Sequence, residues 1–174
     1  MLACVAAATV AAISAPRAAA LQERPHHKAL RFYSAEIHRF RVETWHWQRV
    51  MGIHTTPVRT RRLAAVNVTR LRHLGAVWRH RAQVVHRRAQ HPPHLANWLC
   101  IHHYEGSWSD PGAPYYGGLQ MDISFQRAYG PWLLQHKGTA NHWTPLEQIW
   151  TAERGRRARG FYPWPNTARA CGLL

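Results

Sequence analysis

The chain has 174 residues, with 23 Lys and Arg against 8 Asp and Glu, and a formal net charge of +15 at pH 7. That length accommodates one ordinary domain, or a small domain with an extension. The apolar run from Leu2 to Ala15 is shorter than the ~18–20 residues a membrane-spanning helix requires.

In chain order, residues 1–20 read as a secretory signal. An Ala-rich apolar stretch ends in an A-x-A pattern at Ala18–Ala20 before Leu21, although no Lys or Arg precedes it. Cys4 falls inside this segment, so Cys100 and Cys171 remain after its removal. An even pair in an exported chain suggests a disulfide; two buried free thiols are the alternative for a chain that stays in the cytosol.

Residues 28–51 place Leu30, Tyr33, Ile37, Phe40, Trp47 and Met51 on one helical stripe, interrupted by Thr44. "GIHTTPVRT", 52–60, reads as a turn. Residues 61–90 are again helical, with Leu71, Leu74, Trp78 and Val85 on one side and Arg on the others. Two such helices with a short connection predict a basic helical hairpin over 21–94. "HPPH", 91–94, stops the second helix and marks the domain boundary. The charge changes there too: residues 1–94 carry 16 Lys/Arg, 3 Asp/Glu and ten of the 14 His, whereas residues 95–174 carry 7 and 5. So basic a half implies an anionic partner: nucleic acid, a membrane surface or an acidic polymer.

Beyond the boundary, Leu95, Trp98, Leu99 and His102 share a helix face, and the helix should end near Glu105 with Gly106 in the left-handed position. "SDPGAPYYGGLQ", 109–120, reads as a loop with a short hairpin at most. Asp122 or Ser124 caps a short helix through Phe125 and Tyr129, ended by Gly130. Thr144, Pro145 and Glu147 form a helix start with a capping box, after which Leu146, Ile149 and Trp150 face the core. The Pro-broken end, 161–174, holds a short helix after Asn166. The fold class expected is mainly α, with at most a short hairpin.

Glu105 is the candidate for chemistry; taken without its surroundings it reads equally as a solvated helix-end residue. A carboxylate at a helix C-terminus meets the negative end of the dipole, and Tyr and Trp neighbours desolvate it; both favour the protonated form. Such an acid can protonate a glycosidic oxygen, as in lysozyme. Aromatic faces pack on pyranose rings; Trp108, Tyr115 and Tyr116 are equally compatible with the core, and at least one is expected to line the groove. Gln120, Tyr115 and Tyr116 offer hydrogen bonds, and Gly117 and Gly118 allow close backbone approach.

Residues 95–174 resemble a lysozyme-like transglycosylase domain of the resuscitation-promoting factor type. The resemblance is carried in order by Glu105-Gly106-Ser107-Trp108, "YYGGLQ" from Tyr115 to Gln120, Tyr129-Gly130, Thr144 to Gln148, Ala152-Glu153-Arg154, and Trp164-Pro165 followed by Cys171. It implies a bacterial, secreted or wall-associated enzyme acting on peptidoglycan glycan strands, with Glu105 as catalytic acid and Cys100–Cys171 as a disulfide. In that family the first cysteine sits beside the glutamate, whereas Cys100 stands five residues before Glu105. Residues 21–94 lie outside the resemblance; on composition they suit an anionic wall polymer or membrane surface, or serve as a solvated stalk.

Asp110 is the candidate second acid, but "SDPG" is an ordinary turn and that is its simpler account. Asp122 reads as a cap, Glu147 as a capping-box residue, and Glu153 as a partly buried structural group. One acid suffices if the sugar's own 6-hydroxyl attacks, giving an anhydro product; attack by water is muramidase hydrolysis, and both stay open. A non-catalytic wall- or glycan-binding module is the alternative from another class. No cofactor or metal is expected: adjacent His102-His103 and His26-His27 point about 100° apart on a helix, and HExxH or Cys/His zinc spacing does not occur. Nucleic acid is not expected as a partner, because no DNA-binding motif occurs and the export signal opposes it.

Overall fold

A computed structural model of the chain describes residues 25–58 and 67–174; the expected signal, 1–20, and the start of the predicted helix at 61–66 lie outside the described residues. The described chain is mainly helical, with one small sheet. The helices are α1 Pro25–Val50, α2 Val68–Ala89, α3 Leu95–Glu105, α4 Ile123–Tyr129, α5 Pro131–Lys137, α6 Pro145–Arg159 and α7 Pro165–Ala170. Strands β1 Tyr115–Tyr116 and β2 Met121–Asp122 pair antiparallel, Tyr115 opposite Asp122 and Tyr116 opposite Met121. No described helix is long and apolar enough to cross a membrane.

The predicted hairpin is corrected in one respect: α1 and α2 run parallel. Glu36 meets Arg79 at 2.8 Å, a separation of 43 residues, and Glu43 meets His86 at 3.3 Å with the same offset. A constant offset requires helices pointing the same way; in a hairpin it would change along the pair. The reason is burial, because Val50, Met51 and Ala89 all enter one core, so both helices must end there. The connection therefore begins a return along α1 after Gly52 (φ 68°). Its course is pinned at Thr56, whose carbonyl accepts from the Trp45 indole at 2.8 Å while Gln48 bonds its hydroxyl and N–H.

The stripes shift slightly from expectation. Thr44 is fully buried in the α1 stripe, and its hydroxyl donates to the Phe40 carbonyl at 2.6 Å, so the polar interruption is satisfied within its own helix. On α2 the buried face is Leu71, Gly75, Trp78, Ala82 and Ala89, while Leu74 is exposed. On α3 Trp98 and Ile101 are buried, and Leu99 turns out to solvent.

The boundary expected at 91–94 is a turn that the core crosses. Val50, Met51 and Ala89 pack with Trp98, Ile101, Leu119, Ile149 and Trp150. The Trp150 indole donates to the Ala89 carbonyl at 2.8 Å, and Arg154 donates to the Arg49 carbonyl at 3.0 Å. At the centre lies α6, whose start carries the expected capping box between Thr144 and Glu147. Gly155 on α6 leaves room for the Phe125 ring of α4. Helix α5 has no counterpart among the elements predicted above, although Pro131 at its first turn follows the expected stop at Gly130.

Cys100 and Cys171 form a disulfide, closing 71 residues between α3 and the end of α7. The chain-entropy treatment of such a loop gives roughly 4 kcal/mol. Paired Cys100→Ser and Cys171→Ser substitutions should lower the unfolding free energy in denaturant by about that amount. A loss below about 1 kcal/mol would show that packing alone sets α7.

Candidate functional site

Helix α3 delivers Glu105 to the surface at its last residue, half-buried. The helix stops because Gly106 adopts φ 135° and ψ −160°, a region open essentially to glycine alone. This differs from the left-handed helical position predicted, and it sends the chain away extended rather than curling back.

The loop beyond is organised by Asp110. Its Oδ1 accepts from the Gly112 N–H at 2.9 Å and its Oδ2 from the Gln120 amide at 2.8 Å. Its own N–H donates to the Ser107 carbonyl at 3.1 Å, and its carbonyl accepts from the Gly117 N–H at 2.8 Å. With both carboxylate oxygens occupied within the loop, Asp110 acts on the site through Gln120. Gln120 sits at φ 46° and donates also to the Gly117 carbonyl at 2.9 Å, which fixes its amide.

The "YYGG" segment divides into a wall and its backing. Tyr115 is exposed, whereas Tyr116 packs against the core. Gly118 is buried beneath α3, where an added Cβ would stand 2.6 Å from His102 Nδ1 and 2.8 Å from Trp108 Cε3. Close packing therefore demands glycine there, instead of the ligand approach expected. His102 Nδ1 donates to the Gly118 carbonyl at 3.0 Å and its ring stacks on Trp108 at 3.8 Å. Behind them the fully buried Gln148 accepts from Gly118 N–H at 2.9 Å and donates to the carbonyls of Trp108, Ala140 and Trp143.

Glu105, Tyr115 and Gln120 come together with Pro163, Trp164, Pro165 and Asn166 around a cleft of about 200 Å³. An adjoining section of about 140 Å³ shares Tyr115, Gln120, Pro163 and Trp164 and extends to Asp122 and Arg159. The result is one groove with Glu105 towards one end. Trp164 forms its floor, buried and held by its indole N–H donating to the Leu119 carbonyl at 2.7 Å. A larger cleft of about 400 Å³ lies between α1, α2 and residues 56–58, and no carboxylate lines it.

Of the residues singled out by sequence, then, Trp108, Tyr116 and Gly118 support the groove from behind. Asp122 caps α4 through the Phe125 N–H at 2.7 Å. The Ser124 hydroxyl and the Phe125 N–H hold the Asp122 carboxyl below its usual range. Glu153 is buried; burial works against its charge, but hydrogen bonds from Arg156 and Trp98 prevail and keep its carboxyl low. His102 points inward and His103 outward. Among the described residues no three His, Cys, Asp or Glu side chains gather as a metal site.

Trp164, Pro163, Asn166 and Thr167 were not picked out as site residues. Thr167 Oγ1 donates to Glu105 Oε1 at 2.8 Å across 62 residues of sequence. Only the "WP" dipeptide gave a signal in this region, and it marked the fold.

No family model matches the chain, and no curated protein matches it. The site's chemistry therefore rests on its geometry: an aromatic-floored groove in which Asp122 is engaged as a helix cap, while the Glu105 carboxyl, among the described residues, is hydrogen-bonded on one oxygen only. Such a group can give a proton to a bound ligand and take one back.

Proposed function

We propose that residues 95–174 form a lysozyme-like domain of the resuscitation-promoting factor type that cleaves peptidoglycan glycan strands at the MurNAc–GlcNAc bond. The observation that carries the reading is the placement of Glu105. It shares a groove with Tyr115, Gln120 and Trp164, while Asp110 is consumed by its loop and Asp122 by its cap. Glu105 protonates the glycosidic oxygen and the bond to the MurNAc anomeric carbon breaks through an oxocarbenium-like state. The 6-hydroxyl of the same sugar then attacks that carbon. Glu105, now the carboxylate, takes the hydroxyl proton and returns to its starting form. A 1,6-anhydro sugar results and no second protein carboxylate is required.

The parallel α1–α2 pair extends from this domain and is rich in arginine. We assign it to holding the enzyme near an anionic wall polymer or membrane surface, in a secreted or wall-associated protein; the disulfide fits an oxidising compartment.

The test is to incubate purified protein with peptidoglycan and identify released muropeptides by mass, with Glu105→Gln as control. Anhydro-ended products from the wild type alone are expected. Reducing-end products would convert the assignment to muramidase hydrolysis. Silence from both proteins would sink the enzyme and leave a glycan-binding module on the same groove.

A further inference from the structure

We propose that Thr167 is a positioning residue for Glu105, engaging Oε1 so that the transferable proton resides on Oε2. The proposal rests on the reading of Glu105 as proton donor.

Threonine has one O–H to give. It is 2.8 Å from Glu105 Oε1 and 3.5 Å from the Trp164 carbonyl, so the carboxyl is its acceptor. In a neutral carboxylic acid the carbonyl-type oxygen is the better acceptor, and the proton sits on the other. The Glu105 side chain makes no other hydrogen bond to a described residue, so Oε2 is left to meet the ligand. After proton transfer the same hydroxyl keeps the carboxylate in one orientation, ready to accept the proton back.

The hydroxyl is itself well placed. Helix α7 has only six residues, too few to persist alone. It is fixed at one end by buried Trp164, in the middle by buried Ala168, and at the other end by Cys171. Two links therefore tie α3 to α7: Cys100 to Cys171, and Glu105 to Thr167. They lie five residues apart on α3 and four apart near α7, about one helical turn. Because the bridge starts five residues before Glu105, the end of α3 is open, and Thr167 fills that place.

The experiment compares wild type, Thr167→Val and Thr167→Ser on peptidoglycan across pH. Valine keeps the shape without the donor. It should lower kcat by about 10-fold or more with KM changed less than about 2-fold, and move the pH optimum upward. Serine should restore the wild-type optimum and most of kcat. In a Glu105→Gln background, valine should cost nothing more. Wild-type kcat and optimum in Thr167→Val would overturn the proposal. If wild type releases no muropeptides, the enzyme reading fails, and the catalytic role of Thr167 fails with it. An unfolding double-mutant cycle of Glu105→Ala and Thr167→Val, each of which removes the hydrogen bond, separates the two failures. Coupling in the cycle would then leave the contact purely structural, and no coupling would remove the contact as well.

Discussion

Glu105→Gln is expected to lower the rate of glycan-strand cleavage by on the order of 10²–10⁴ while leaving the fold intact. The amide has nearly the carboxylate's shape. Its oxygen can still accept from Thr167 Oγ1, the one hydrogen bond the Glu105 side chain makes to a described residue. The half-buried end of α3 is also not a packing position; Trp98 and Ile101 carry that role. Stability should therefore change by less than about 1 kcal/mol. The amide nitrogen cannot transfer a proton to an ether oxygen at useful rates, so the loss should fall on kcat. The measurement is the initial rate of muropeptide release beside a melting curve for each protein. Retained activity would move the acid elsewhere and overturn the assignment of Glu105.

Features set by neighbouring residues were legible in the sequence. The Thr144–Glu147 capping box, the Asp122 cap and the end of α3 at Glu105 each depend on residues within a turn of one another. The choice between Leu99 and Ile101, or between Leu74 and Gly75, was not. A stripe of mixed residues admits neighbouring faces, and packing partners select one. The direction of α2 relative to α1 was hidden for a related reason. A turn signal such as "GIHTTP" shows that a helix ends, and the destination of both helix ends in one core decides the rest. At the site, sugar chemistry names the residue types of Tyr115, Gln120 and Glu105, and the fold gathers those three around one cleft. Trp108, Tyr116 and Gly118 are named on the same grounds, but packing gives them supporting places. Thr167 carried no such signal, since a hydroxyl 62 residues away becomes a partner only when the chain has folded.

Glu147→Ala should cost about 3 kcal/mol at neutral pH, near the low end for breaking a buried ion pair. The side chain is 1% exposed and takes two bonds from Lys137 Nζ, at 2.7 and 2.8 Å, one from His46 Nε2 at 3.0 Å and one from the Thr144 N–H at 2.8 Å. Lys137 and His46 are partly exposed and regain water when the partner goes, which keeps the cost from being larger. Burial disfavours the charged carboxylate, but the bonds from His46, Lys137 and Thr144 outweigh it and bring its pKa down from 4.5 to about 2. A carboxyl lowered on folding stabilises the native state above its unfolded pKa and loses that contribution as pH falls through the folded value. The window is thus about pH 4.5 down to about 2, and the amount is about 3 kcal/mol. Glu153, also buried and lowered, adds to the slope in the same direction. Unfolding free energies at pH 7, 4.5 and 2.5 should fall steeply in the wild type and distinctly less in Glu147→Gln; equal slopes would refute the assignment. His46 lies on α1, Lys137 on α5 and Glu147 on α6, so this carboxylate joins the basic helical pair to the groove-bearing half. Acid should therefore loosen that junction.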